Sequence, residues 1–503
     1  MEHVKFAQRL LVALFSITLL AFWIEAAWDF SRAIDPQTGL AVRLVDLKVT
    51  PEMVRSLAST FGGAYSTLIA LLLTFVSLAI PITANLYTPK LIELFIRDPI
   101  NLFVICTCAV LAAHNLFAVS LSFDHWTAQI PFAIAVAGAV FGWLLLLPYY
   151  LYVVSFIDPL TIIRRVHRSL VREIDAAVAG RHSVADSQRR VYEKVHNLGS
   201  VLLRAADRAD RDVTLDAVRT LMFELARLRK VKPKMSDQFL HVGNDLLAGM
   251  AGDATDILSQ AHIWIEHQIA VQLVLAFKIV LAKMPDGVSA MAQMVKNTAH
   301  EEACLHDDEV FNLLVRVLNS FAREAIKTKG NASVCDVLYS YKALVRRLLT
   351  DQPDKVPKLV HYLRYYAEFA RGQSLPFVYE RLSYELVELT ERAYERKVAA
   401  APVLLDAVLA FAEVEHSVGL VKSRAILAGY FDECGYAQEL ERVSVSLRQV
   451  ATAVIEQAKL EISSVHDRLF WELNDRGVNF DFVEPTRRVR VIEFLARIRP
   501  AQC

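Results

Sequence analysis

At 503 residues the chain has length for about three or four domains, but an apolar content of 54% and a mean hydropathy of +0.32 exclude a purely water-soluble protein. Lys plus Arg and Asp plus Glu number 55 each, so the formal net charge is zero, which excludes a general polyanion binder and, with it, nucleic acid as a partner. Only 8 of the basic and 9 of the acidic residues precede Asp158, making the first part about 11% charged and the remainder about 27%, close to the globular norm. The predicted organisation is all-α: a four-helix transmembrane domain over 1–157, then a large cytoplasmic helical bundle or irregular helix-pair solenoid over 158–503.

Charge-free runs mark the spans, because a charge at the bilayer centre costs about 2.5–3.5 kcal/mol even on insertion scales. The first is Leu10 to Ile24, completed by Ala26, Ala27 and Trp28 beyond Glu25. The others are Ser56 to Pro89, Pro99 to Phe123 and His125 to Ile157, each longer than the ~20 residues that cross the hydrocarbon. Helices are therefore predicted over about 8–28, 58–87, 100–122 and 130–156. Lys5 and Arg9 ahead of the first run also fit the basic region of a secretory signal. Charge asymmetry favours a retained first helix. With the N-terminus inside, the cytoplasmic side collects Lys5, Arg9, Lys90, Arg97, Arg164, Arg165, Arg168 and Arg172, and the outer side holds only Arg32, Arg43, Lys48 and Arg55. That places the N-terminus and the C-terminal domain in the cytoplasm.

The second span carries a stripe. At 100° per residue, Ser59, Gly63, Ser66, Ala70, Thr74, Ser77, Pro81, Ala84 and Thr88 fall within one sector about 80° wide. All are small, hydroxylic or proline, whereas Phe61, Leu68, Leu72, Phe75 and Leu86 lie opposite. Such a stripe serves either close helix packing or the lining of a polar pathway. Pro81 leaves the Ser77 carbonyl without its helical partner and predicts a kink or break there.

Between the second and third spans, Thr88-Pro89 reads as an N-cap followed by proline at the first helical position, a start signal that Asp98-Pro99 and Asp158-Pro159 repeat. An elbow over 85–99 at the cytoplasmic interface follows, with Tyr87, Pro89, Lys90 and Arg97 as its marked residues. Lys90 and Arg97 are expected to face anionic headgroups or the mouth of a pathway. In the third span, His114 and Asn115 are intramembrane polar residues: a functional pair, or a neutral histidine bonded across the bundle. Gly138 and Gly142 of the fourth form a G-x-x-x-G, read as packing within or between subunits.

The elbow residues Leu86-Tyr87-Thr88-Pro89-Lys90-Leu91-Ile92 and Phe95-Ile96-Arg97-Asp98, which follow a long apolar helix closed by small and polar residues, carry a resemblance. The stretch from about Thr60 to Phe123 resembles a family of uncharacterised bacterial integral membrane proteins classed as a domain of unknown function. A weaker echo covers Leu202 to Leu228, where the family's Asn-Asp-Pro-x-Thr-Ala core meets Asp210-Arg211-Asp212-Val213-Thr214-Leu215-Asp216-Ala217. The resemblance implies a bacterial inner-membrane protein with N-terminal transmembrane helices and a cytoplasmic helical domain. It implies no mechanism.

From Asp158 onward apolar residues recur at helical spacing, as in Leu215, Val218, Leu221, Met222 and Leu225. Breaks are expected at Gly180, Pro233, Asp253, Pro285, Gly330, Pro353, Pro376, Pro402, Gly419, Gly435 and Pro485. The six scattered cysteines, without a C-x-x-C pair, fit a reducing compartment. His300 and Cys304 share a helix face at i and i+4, a weak metal candidate without the second histidine of H-E-x-x-H. The acidic residues that follow them read first as the start of the next helix. His262 and His267 fall on different faces. With no phosphate loop, nucleophile elbow or paired-cysteine pattern, neither an enzyme nor a cofactor is expected. The expectation is an oligomeric inner-membrane channel or transport-related protein with a cytoplasmic assembly or gating domain. The alternative is a membrane-anchored scaffold or sensor that binds a cytoplasmic protein partner.

Overall fold

The computed structural model describes residues 16–29, 50–86, 98–120, 129–243, 245–247, 251–412, 414–470 and 477–498, with side chains in the second helix as far as Thr74. It divides into two compact units, Met1–Arg165 and Val166–Cys503. Helices dominate both, and among the described residues extended pairing is limited to an isolated bridge between Leu469 and Val478.

Among the described residues the first unit holds helices α1 (16–29), α2 (Pro51–Leu86), α3 (Pro99–Ser120) and α4 (Gln129–Ile157). Their starts follow from local chemistry. Pro51 and Pro99 occupy first helical positions, where the missing N–H has no partner to lose. Thr50 Oγ1 accepts from the Met53 N–H at 3.3 Å and Asp98 Oδ1 from the Ile100 N–H at 3.0 Å, each satisfying an orphan donor. The Asp158-Pro159 signal works likewise: Asp158 Oδ2 accepts from the Thr161 N–H at 3.0 Å and opens α5 (Pro159–Val178), within which the boundary between the units falls.

The break expected at Pro81 does not form. Helix α2 runs unbroken through Pro81 to Leu86, 36 residues and so ~54 Å long. One missing backbone bond does not outweigh continuing the helix in a run without charge, where any other backbone conformation leaves several polar groups unsatisfied. The elbow residues Tyr87, Pro89, Lys90 and Arg97 lie outside the described residues.

The second unit continues through α6 (Val184–Asp207), α7 (Arg211–Val231), α8 (Asp237–Leu240), α9 (Gly252–Gln260), α10 (Trp264–Lys283), α11 (Gly287–His300), α12 (Glu302–Leu305), α13 (Asp308–Lys327), α14 (Asn331–Asp351), α15 (Val356–Gly372) and α16 (Pro376–Glu395). It ends with α17 (Ala401–Leu409), α18 (Val418–Cys434), α19 (Ala437–Leu447), α20 (Thr452–Ser464) and α21 (Pro485–Arg497). Gly180 and Gly435 take positive φ just past α5 and at the end of α18, as helix stops require. Gly419 is not a break; it lies in the first turn of α18, whose start is capped by Ser417.

Among the described residues, four helices are long and apolar enough to cross a membrane: Pro51–Thr74 of α2, α3, Gln129–Val153 of α4, and α10. The last was not expected, and its environment accounts for its composition. Helix α10 packs against α6, α11, α13 and α7, so most of its apolar surface is covered by protein, while Leu275 and Lys278 remain exposed. Phe277 stacks on Phe321 of α13 with ring centroids 3.8 Å apart, and the fully buried Glu266 is held by an ion pair with Lys232. Leu275 is 43% exposed and its neighbour Ala276 fully buried. A core helix therefore tolerates Leu275→Lys at about 1 kcal/mol or less and loses about 4 kcal/mol or more with Ala276→Lys, which buries an unpaired charge. Thermal unfolding of the two variants checks this; equal damage from both would mean that α10 meets lipid.

Candidate functional site

Tyr65, Tyr149, Asn101, His114 and Asn115 of the first unit lie on the inner faces of its helices. Tyr65 of α2 is buried against Val104 and Cys108 of α3 and Tyr149 and Val153 of α4. Its hydroxyl donates to the Gly138 carbonyl at 2.6 Å, and a Cβ on Gly142 would sit 2.3 Å from that hydroxyl oxygen. The G-x-x-x-G of α4 is therefore a slot for a tyrosine of the same chain, which resolves the packing reading in favour of contact within the subunit. Tyr149 similarly donates to Asn101 Oδ1 at 2.5 Å, joining α4 to α3.

Toward the other end, His114 Nε2 lies 2.9 Å from Glu25 Oε2, with the Phe22 ring edge-on to the imidazole at 5.6 Å. Phe22, Ala26, Ala58 and Ala118 pack around this pair and dock α1 onto α2 and α3. His114 lies in the C-terminal half of the described part of α3. Asn115 donates to the Leu111 carbonyl at 2.7 Å, and its Cβ would lie 3.5 Å from a Cβ placed on Gly62 of α2. His114 Nδ1 and Asn115 Oδ1 are buried with no hydrogen-bond partner among the described residues. In lipid such groups carry a desolvation cost of about 1–3 kcal/mol, and an intramembrane ionisable pair is a functional locus by default. Glu25 was missed as the partner. The signal was present in the sequence, since Glu25 is the one charge interrupting the first apolar run.

The stripe on α2 points the other way. Ser59, Gly63, Ser66, Ala70 and Thr74 are all exposed, with no atom within 4 Å of a Cβ placed on Gly63. Leu71 and Leu73, 61% and 49% exposed, border the same face. Packing within the chain thus uses the opposite side, with Tyr65, Leu68, Ile69 and Leu72. Ser66 and Thr74 each donate to the carbonyl one turn back, Gly62 and Ala70, at 2.9 and 2.8 Å. Ser77 and Pro81 belong to the part of α2 whose side chains lie outside the described residues.

In the second unit the structure gives His300 and Cys304 other work. His300 Nε2 lies 2.8 Å from Asp351 Oδ2 and receives the Arg347 Nε–H at 3.0 Å, while Cys304 is fully buried and its thiol is pushed up to about 12 by that burial. A thiol that resists ionisation is a poor metal ligand. The acidic residues beyond it start α13 as read: Asp307 is its N-cap, accepting from the Glu309 and Val310 N–H groups. His267 is half-buried on α10, where burial lowers its pKa. A cleft of about 530 Å³ opens among α14, α16 and the segment before α21, lined by charged side chains including Lys342, Arg346, Glu391 and Arg487. Most are committed to each other: Lys342 to Glu385 and Glu388, Arg487 to Glu391 and Glu433.

Residues 5–212 match the model of a family described as predicted membrane protein (DUF2254). The first two fifths of the chain is thus similar to a membrane protein family of unknown function. That stretch includes the elbow and reaches into the Leu202–Leu228 echo, ending at Asp212. No curated protein and no solved structure matches the chain. The likeness to that family and the apolar helices together support a membrane protein.

The Tyr65 slot generates a test. Gly142→Val overpacks against the ring and should cost about 1–3 kcal/mol, lowering the detergent melting temperature. Gly63→Ala, on the open face, should leave it unchanged or raised. Equal losses at the two glycines would place both faces of the bundle in contact with protein.

Proposed function

We propose that the chain is an oligomeric channel or transport-related protein of the bacterial inner membrane, with its N-terminus and second unit in the cytoplasm, the second unit serving assembly or gating. The observation that carries it is the outward face of α2. A surface that meets only lipid has no use for five small or hydroxylic residues in one row, since dispersion contact with acyl chains favours large apolar side chains. The row faces away from the described helices that α2 packs against in the first unit. Small residues there let the α2 helices of neighbouring copies approach, and where they stand apart the hydroxyls face a polar path. The His114–Glu25 pair adds an ionisable locus within the same bundle. No catalytic step is assigned to the chain. A membrane-anchored scaffold or sensor for a cytoplasmic protein is the alternative, distinguished by particle size in detergent: a ring-like oligomer against a monomer that captures a partner.

Single cysteines at Ser66 and Thr74, in a chain whose own cysteines are replaced, provide the test. A small charged thiol reagent should modify them in the assembled protein and change ion or solute flux through liposomes by about tenfold, the size of effect a 1.4 kcal/mol barrier produces. Uniform inaccessibility with normal assembly would reduce the row to a packing surface.

A further inference from the structure

The second unit brings together three side chains that sequence spacing kept apart. Asp237 opens the short helix α8 and His241 follows its last residue, one turn later on the same side; His262 stands just beyond the end of α9. Their ligand atoms all lie within 4.8 Å of one another, with His262 Nε2 3.9 Å from Asp237 Oδ1. The two imidazoles meet edge to face, centroids 4.8 Å apart. All three remain accessible to solvent.

The framework behind them is buried and fully bonded. Ser259 Oγ accepts from the Val242 N–H at 3.0 Å and donates to the Val242 carbonyl at 2.8 Å, clamping the end of α9 to the residue after His241. Trp264 Nε1 donates to the Phe239 carbonyl at 3.2 Å, and the Gln188 amide donates to the Phe239 and His241 carbonyls at 3.0 and 2.6 Å. Both segments are therefore held at fixed separation. His241 Nδ1 donates to the Asp237 carbonyl at 2.9 Å, which fixes the tautomer and leaves Nε2 with its lone pair free. His262 has a φ of +55°, in the left-handed region. Its N–H bonds the Ser259 carbonyl and the Ile263 N–H bonds that of Leu258, a helix ending whose turning residue is ordinarily glycine. An imidazole occupies a position where glycine is less strained.

We propose that Asp237, His241 and His262 form a binding site for a divalent transition metal of the zinc type, with solvent completing the coordination. Two imidazole nitrogens and one carboxylate are the donor set of borderline divalent ions rather than of calcium or magnesium. Ligand atoms around tetrahedral zinc lie ~3.3 Å apart, from bonds of ~2.0–2.1 Å, so spacings of up to 4.8 Å have to shorten by side-chain rotation when the ion binds. The bound ion would tie α8 to the end of α9.

Zinc titration of the full-length, tag-free, metal-stripped chain in detergent, followed by calorimetry and by melting temperature, tests the site. Wild type should bind one equivalent at micromolar or tighter dissociation constant and melt higher with zinc. His262→Gly separates ligand loss from damage to the fold. Without metal it should melt no lower than wild type, because glycine suits the backbone there, yet its zinc affinity should fall by about tenfold or more. His241→Ala should lose affinity likewise, and His300→Ala should not. Absence of saturable binding in wild type, or unchanged affinity in both His262→Gly and His241→Ala, overturns the proposal.

Discussion

Tyr65 decides which way helix α2 faces. Its ring fills the gap that Gly142 leaves on α4 and its hydroxyl satisfies the Gly138 carbonyl, a bond worth about 0.6–2 kcal/mol between helices in lipid. A helix has one rotational setting, so burying Tyr65 together with Leu68 and Leu72 fixes the direction of every other residue. Ser59, Gly63, Ser66, Ala70 and Thr74 then have no choice but to turn outward. The functional proposal rests on this consequence.

Much of this was legible in the sequence. Charge-free runs gave the three longer spans, because the penalty on buried charge is large and local, and the helix starts at Pro99 and Pro159 followed from a side-chain cap beside a residue lacking an N–H. The stripe was legible as a period. Its direction was not, because periodicity says which residues share a face and nothing about which face meets protein. Pro81 misled for a related reason: the cost of a proline in a helix is a local quantity, and whether the helix breaks depends on what the alternative conformation would expose.

The second unit shows the limits of composition more sharply. By hydropathy α10 is as good a span as α2, and only the helices packed around it, with Glu266 paired to Lys232, identify it as a core element. Nor did sequence spacing bring Asp237 and His241 to His262. The link is a double hydrogen bond from Ser259 to Val242, a tertiary contact that leaves no pattern along the chain. His300 and Cys304, placed on one face by helical spacing, do not share a helix: α11 ends at His300, Glu301 leaves the helical conformation with ψ at 138°, and Cys304 falls in α12.

The central claim is that the small-residue face of α2 meets copies of itself rather than lipid. Oxidative cross-linking in native membranes measures this directly, in a chain without its own cysteines. A cysteine at Gly63 should give disulfide-linked multimers, whereas one at Leu144, 70% exposed on α4, should give few. Efficient cross-linking at Leu144 with none at Gly63 would contradict the claim and put the subunit contacts on the other side of the bundle.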